Sequence, residues 1–283
     1  MSYSNPQAIV STEWLSKNIN DPDLVILDGT YHLPTANRNA SQEFPSKHIK
    51  GAFFFDIDDI ADADNTLPHM LPSDKVFSEK VGALGINNKK RVIVYDVYGM
   101  QSAARTWWMF RFFGHDNVAV LDGGLPKWIK DGYEISSSPV SSSSTTFKCN
   151  RRPNLVKNLG DIKYIIKENN EQIVDARSLG RFNGTEPEPR AGMRSGHMPG
   201  AISLPFTAFL DPDAKTYISA DKINQIVSNL NIDLNKPIAT TCGSGVTACA
   251  LSLGLFLIGK TDVAVYDGSW SEWGALADTP IVQ

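Results

Sequence analysis

Cys242 heads the heptapeptide Cys242-Gly243-Ser244-Gly245-Val246-Thr247-Ala248, between the apolar-polar run Pro237–Thr241 and the helical stretch Ala248–Ile258. A strand, a glycine-bearing loop and a helix start around one thiol make a pocket for negative charge. Backbone N–H groups converge there, and the helix end adds partial positive charge. Such surroundings favour the thiolate, which is the nucleophilic form of cysteine. A free cysteine is more often a small buried hydrophobe. Two glycines in the loop, together with a paired feature elsewhere in the chain, weigh toward chemistry.

The remaining cysteines are expected to be bystanders. Cys249 falls within the helix after the loop and should be buried, and Cys149 lies beside a serine-rich stretch. Three cysteines make no disulfide framework and lack the paired short spacing of a zinc site. No metal is expected, and the low odd count suits a reducing compartment. A net charge of −4 gives no electrostatic case for nucleic acid or an anionic membrane as partner. No apolar run approaches the roughly 18 residues that would span a bilayer. The start, Met1 to Pro6, lacks a basic and then apolar leader, and the first arginine is Arg38. A cytoplasmic location is therefore the expectation.

The elements that must position the thiol occur twice. Val25–Asp28 matches Gln172–Asp175, and His48–Ala52 matches His197–Ala201. Val92–Asp96 matches Ile238–Cys242, and Leu121–Gly124 with Trp128 matches Tyr266–Ser269 with Trp273. Four blocks in one order, at nearly constant spacing, indicate a tandem duplication. Within each half, short apolar runs alternate with helical periodicity. Val25–Asp28, Val92–Asp96 and Val118–Leu121 read as buried parallel strands; Lys75–Leu84 and Ala103–Phe113 read as helices packed on them. The alternation predicts an α/β fold of two tandem domains, each a mainly parallel sheet flanked by helices. In such sheets sites lie beyond the carboxyl ends of strands, where Cys242 falls.

Ser136–Thr146 is nearly all Ser and Thr and reads as a surface linker. The predicted division is a first domain over 1–135, a linker over 136–153 and a second domain over 154–283. The halves are not chemically equivalent, because the first has Asp96 where the second has Cys242. An aspartate cannot act as a sulfur nucleophile, so the first half should support the cleft between domains. His48 and His197 are repeat-equivalent, as are Asp28 and Asp175. That symmetry favours structural roles for the histidines and loop-orienting roles for the aspartates. The tryptophans Trp107, Trp108, Trp128, Trp270 and Trp273 are expected in the core or between domains, with Trp270 and Trp273 also able to wall the cleft.

Taken together, these residues resemble the two-domain rhodanese-type sulfurtransferases, whose first domain is inactive and second catalytic. The resemblance runs from about Val10 to Pro280. It rests on the Cys242 loop, Asp56-Ile57-Asp58, Pro68–Pro72, Gly180–Arg190 and Asp267–Trp273. Within that family the neutral loop resembles the members that use 3-mercaptopyruvate, whereas thiosulfate-preferring members carry Arg and Lys after the cysteine. Thiosulfate is a dianion and gains from adjacent cations. Mercaptopyruvate is an α-keto acid whose carboxylate and carbonyl need directional donors, which a guanidinium fork supplies.

The resemblance implies a nucleophilic Cys242 that takes sulfur as a persulfide and releases pyruvate. Arg181 and Arg190 bind the substrate, with Gly243, Gly245, Val246 and Thr247 in the surrounding loop. It further implies a relay of Ser244, His69 and Asp58 that crosses the domain boundary. Small thiols, reduced thioredoxin or cyanide would accept the sulfur, with no cofactor required. The alternatives are thiosulfate:cyanide sulfur transfer and a non-catalytic sulfur carrier or binding module. A cysteine phosphatase needs Arg six residues after its cysteine, and Ala248 stands there.

Overall fold

The computed structural model describes residues 2–283. The first domain contains strands β1 (Ile9–Val10), β2 (Leu24–Asp28), β3 (His48–Ile49), β4 (Ala52–Phe54), β5 (Arg91–Tyr95), β6 (Val118–Leu121) and β7 (Ile135–Ser136). Its helices are α1 (Thr12–Asn18), α2 (Ala40–Glu43), α3 (Asp74–Ala83), α4 (Ala103–Phe112) and α5 (Gly124–Lys130). The second domain contains β8 (Val156–Lys157), β9 (Gln172–Asp175), β10 (Ile202–Ser203), β11 (Ile238–Thr241) and β12 (Ala264–Tyr266). Its helices are α6 (Leu159–Glu168), α7 (Leu179–Phe182), α8 (Ala220–Asn229), α9 (Thr247–Leu257) and α10 (Ser269–Trp273).

The two five-stranded sheets have the same topology. The first runs β1-β6-β5-β2-β4, and the second, read from the matching edge, runs β8-β12-β11-β9-β10. Every pairing within them is parallel. The central strands are buried on both faces, which is why β5 reads as a nearly unbroken apolar run rather than an alternation, while β11 buries two threonines beside Ile238 and Ala239. Side-chain caps start several of the helices. Ser73 Oγ accepts from Val76 N at the head of α3, and Asn158 and Asp161 form a reciprocal capping box on α6.

Helices α4 and α9 occupy the centre of the molecule and pack on one another. All ten residues of α4 are buried, as are nine of the eleven in α9. A helix as apolar as α9 has to be enclosed on all sides, and α4, which also buries Arg105 and Arg111, packs against it. Pairs of contacts across the interface repeat with the duplication. Leu71 N donates to Asp267 Oδ2 at 2.8 Å, and Tyr217 N donates to Asp122 Oδ1 at 2.9 Å. The amino-terminal segment adds a strap, with Ser4 N on Leu257 O at 2.8 Å.

Residues 137–152 contain neither helix nor strand. The serine-rich part is exposed, but Phe147 is buried, and Thr145 N and Asn150 N bond Gly82 O and Phe113 O, each at 2.9 Å. This tract is therefore laid along the first domain. The paired histidines have equivalent packing. His48 stacks on Phe44 with Nδ1 2.8 Å from the Phe44 carbonyl, and His197 stacks on Phe182 with Nδ1 2.9 Å from that carbonyl. Each also lies in an antiparallel pairing near the end of its domain, His48 with Ser136 and His197 with Val282. Among the described residues, no helix is long and apolar enough to cross a membrane.

Candidate active site

Cys242 follows β11 directly, and α9 begins at Thr247, so the thiol sits on the strand-loop-helix turn expected for it. The loop's carbonyl groups are bound outward. Cys242 O accepts from Trp270 N at 3.0 Å, Gly243 O from Ser271 N and Oγ at 2.8 and 2.7 Å, and Gly245 O from Arg105 Nη1 at 3.2 Å. Ser269 Oγ takes the Cys242 N–H at 3.2 Å. Among the described residues, the N–H groups of Gly243 through Ala248 meet no protein acceptor. A turn with its oxygens tied back and its N–H groups free is a cradle for an anion.

The first domain shows what that cradle holds. Asp96, the counterpart of Cys242, puts its carboxylate onto five backbone N–H groups. Oδ1 accepts from Tyr98 and Gly99 at 2.8 and 2.7 Å; Oδ2 accepts from Gln101, Ser102 and Ala103 at 2.8–2.9 Å. One half thus fills its cradle with a side-chain carboxyl group, and the other places a thiol at that position. The sequence shows the exchange of Asp for Cys but not that both belong to one anion site.

Gly245 has φ +72°, and a Cβ there would stand 2.7 Å from the Asp267 carbonyl. Both the left-handed backbone and the lack of space require glycine. Gly245→Ala should cost about 1–3 kcal/mol and lower turnover by tilting the loop, which thermal unfolding and activity assays would read together. Behind this loop lies a buried clamp. Arg105, on α4 of the first domain, donates from Nη1 to Asp267 Oδ1 at 2.6 Å, from the same nitrogen to Gly245 O, and from Nη2 to His69 O. Its guanidinium also lies 4.6 Å from the Trp108 ring. Cys249, held on the same side with its Sγ on Gly245 O at 3.2 Å, is fully buried, and burial pushes its thiol far up.

Arg181, Arg190, Cys242, Gly243, Ser244, Val246 and Thr247 line one cavity of about 240 Å³. Arg181 bonds Glu188 through Nε at 3.1 Å and also through Nη2, and Glu188 in turn accepts from Arg177 Nη1 at 2.7 Å. Arg190 differs. Its Nη2 donates to Tyr31 Oη at 3.2 Å and stands 3.5 Å from His69 Nε2, with no carboxylate partner among the described residues. The cleft thus holds one neutralised arginine and one with charge to spare.

His69 Nδ1 is paired with Asp58 Oδ1. Of the neighbouring aspartates, Asp59 is held by Lys80 at 2.7 Å and Asp56 accepts from Asp58 N at 2.9 Å. Asp58 and His69 are thus in ion-pair contact, without a hydrogen bond of regular geometry at Nδ1. Among the described residues, no hydrogen bond joins Ser244 to His69, although Ser244 faces the cavity. Burial, aided by Arg105 and Arg190, lowers the His69 pKa against the upward pull of Asp58. A His pKa depressed by folding gives stability that is present above the unfolded value near 6.5 and lost as pH falls toward the folded one. His69→Gln should remove that part of the acid sensitivity, seen as a smaller drop in denaturation midpoint between about pH 7 and pH 5.5.

Tyr31, Arg177 and Arg105 carry no signal in the sequence, and Glu188 and Asp267, although they lie in the motifs that carry the resemblance, show their roles only through the partners they meet in the fold. The tryptophans are buried as expected. Trp270 and Trp273 do not line the cavity; Trp270 instead stacks under Arg177 at 4.0 Å. Among the described residues, no group of three His, Cys, Asp or Glu side chains is placed to hold a metal.

Residues 11–131 and 158–276 each match the Rhodanese-like domain. The chain is 44% identical over 99% of its length to thiosulfate/3-mercaptopyruvate sulfurtransferase 1 of Arabidopsis thaliana, covering 79% of that protein. It is 42% identical over 94% of its length to human 3-mercaptopyruvate sulfurtransferase, covering 92% of it. Its fold is similar to the crystal structure of Escherichia coli SseA, a 3-mercaptopyruvate sulfotransferase of the rhodanese fold, with a TM-score of 0.85 at 37% identity, over 94% of this chain and 99% of that one. The duplicated sheets, the Cys242 cradle and these matches agree: the chain belongs to the rhodanese-like family and is a sulfurtransferase built from two such domains.

Proposed function

We propose that this sulfurtransferase takes its sulfur from 3-mercaptopyruvate through a persulfide on Cys242. The Cys242 thiolate attacks the substrate sulfur, and the carbon–sulfur bond breaks with its electron pair going to the methylene carbon. The resulting pyruvate enolate takes up the proton originally on the substrate thiol and leaves as pyruvate. The persulfide anion remains in the loop, and an acceptor thiol or cyanide then removes the outer sulfur, so the kinetics are those of double displacement. The observation that carries the reading is the cradle itself, a turn that holds a carboxylate on five N–H groups when Asp96 occupies it and stands open when Cys242 does. The same donors suit first a thiolate and then a persulfide.

The cavity's shape of charge supports the keto acid over a dianion. Gly243 and Ser244 bring no cation to the loop, and Arg181 is neutralised by Glu188. Arg190, free of any carboxylate, is suited to the substrate's carboxylate and to the negative charge that develops on the enolate oxygen. His69, in ion-pair contact with Asp58 and with Nε2 3.5 Å from Arg190 Nη2, and the cavity-lining Ser244 are the proposed carriers of the proton between sulfur and carbon. Small thiols or reduced thioredoxin are the proposed acceptors.

The test is side-by-side turnover, pyruvate from mercaptopyruvate against thiocyanate from thiosulfate and cyanide, in wild type and Arg190→Gly. Losing a charge-assisted bond of about 1.5–3 kcal/mol should cut mercaptopyruvate kcat/KM by about 10- to 150-fold. Thiosulfate turnover should change far less. Equal losses on both substrates would remove the role given to Arg190, and a wild-type preference for thiosulfate would reverse the substrate assignment.

A further inference from the structure

The duplication lets one domain be read against the other atom by atom. Thr30 N donates to Asp28 Oδ1 at 2.9 Å, and its counterpart Arg177 N donates to Asp175 Oδ1 at 3.0 Å. Leu125 N donates to Asp96 O at 3.0 Å, and its counterpart Trp270 N donates to Cys242 O at 3.0 Å. The backbones superpose in role, so the side chains that differ can be compared directly.

In the second domain the carboxylate has a guanidinium of its own. Arg177 grips Asp175 through Nε and Nη2 at 2.7–3.1 Å, extends to Gly196 O at 2.8 Å, and lies 4.0 Å from the Trp270 ring. In the first domain Thr30 replaces Arg177 and Leu125 replaces Trp270. A cavity of about 390 Å³ is lined by Asp28, Thr30 and Leu125 among others. Asp28 is 2% exposed and, among the described residues, has no cationic partner. Burial, the largest influence on it, raises its carboxyl to about 6 even though Thr30 and the Tyr95 hydroxyl hydrogen-bond to it. A buried carboxylate without a countercharge beside a cavity is half of an ion pair. At the mouth Arg38 is neutralised by Glu43, while Lys47 carries a further positive charge.

We propose that this first-domain cavity binds a small molecule carrying a guanidinium group, which takes on Asp28 the place that Arg177 takes on Asp175. A planar fork matches a carboxylate two bonds at a time, and Leu125 offers a plain apolar wall where the second domain has the Trp270 ring. The site is separate from the Cys242 cavity and shares no lining residue with it.

The probe is agmatine, titrated calorimetrically into the full-length protein with Cys242 alkylated to occupy the other cleft; L-arginine in parallel reports whether Lys47 welcomes a carboxylate at the mouth. The expected result is saturable binding of one agmatine per chain, weakened at least tenfold by Asp28→Asn. Thr30→Arg should abolish it by supplying the guanidinium in cis and should raise the thermal midpoint. Absence of saturable binding in the alkylated wild type overturns the proposal. So does agmatine binding that survives in Thr30→Arg, because the ligand would then sit elsewhere. Should Asp28→Asn fold poorly, the Thr30→Arg arm decides alone.

Discussion

Cys242→Ser should abolish sulfur transfer and leave the fold intact. Serine is nearly isosteric, and the loop around position 242 is held by groups that do not involve the thiol: Ser269 Oγ on its N–H and Trp270 N on its carbonyl. What changes is nucleophilicity and the capacity to carry a second sulfur, since a hydroxyl is not ionised near pH 7 and forms no persulfide. Removing a covalent nucleophile costs many orders of magnitude where it has been measured, so a fall of at least about 10³-fold is expected. Circular dichroism and thermal unfolding should match wild type. Cys249→Ser is the control. Its thiol is buried, raised by burial out of the thiolate range and bonded to Gly245 O, so sulfur transfer should persist.

Arg105→Ala should be strongly destabilising. The side chain is fully buried and holds three partners from both domains: Asp267, the Gly245 carbonyl and the His69 carbonyl. Removing it leaves Asp267 buried without its cation, and breaking one side of a buried ion pair costs about 3–5 kcal/mol. The damage should reach the chemistry, because the same guanidinium fixes the back of the Cys242 loop. Arg105→Lys should recover little, since one ammonium cannot reproduce a fork that spans three acceptors. Chemical denaturation with an intrinsic tryptophan signal reads the first effect, and kcat with mercaptopyruvate reads the second. A midpoint close to wild type would mean that the clamp contributes no stability.

Much of this architecture was legible in the chain. The strand over Val118–Leu121 is observed with those bounds, and the helices read over Lys75–Leu84 and Ala103–Phe113 begin and end within one residue of α3 and α4. Long apolar runs and well-spaced repeats report burial directly, so such elements survive translation into structure. The two-residue edge strands β1, β8 and β10 carry no such signal, because two residues have no periodicity. The Cys242 loop was legible for a related reason, in that glycines at fixed spacing before a helix state a backbone geometry.

The contacts that tune the site were not legible. Arg190 meets Tyr31 across 159 residues of sequence, and Arg105 meets Asp267 across 162. Neither pairing leaves a local pattern, and both depend on how the two domains dock. Asp96 was seen only as the residue that cannot attack sulfur. Its positive role, as the carboxylate that fills the first cradle, emerges from five N–H distances that no composition or spacing encodes.

The central claim is that sulfur resides covalently on Cys242 between the two halves of the reaction. The most direct test is intact-protein and peptide mass spectrometry after mixing the enzyme with mercaptopyruvate in the absence of any acceptor. The account predicts a gain of one sulfur atom, localised to the peptide containing Cys242, that disappears on adding cyanide with release of thiocyanate. A protein that turns over mercaptopyruvate yet never gains that mass, or gains it on Cys149 or Cys249 instead, would contradict it.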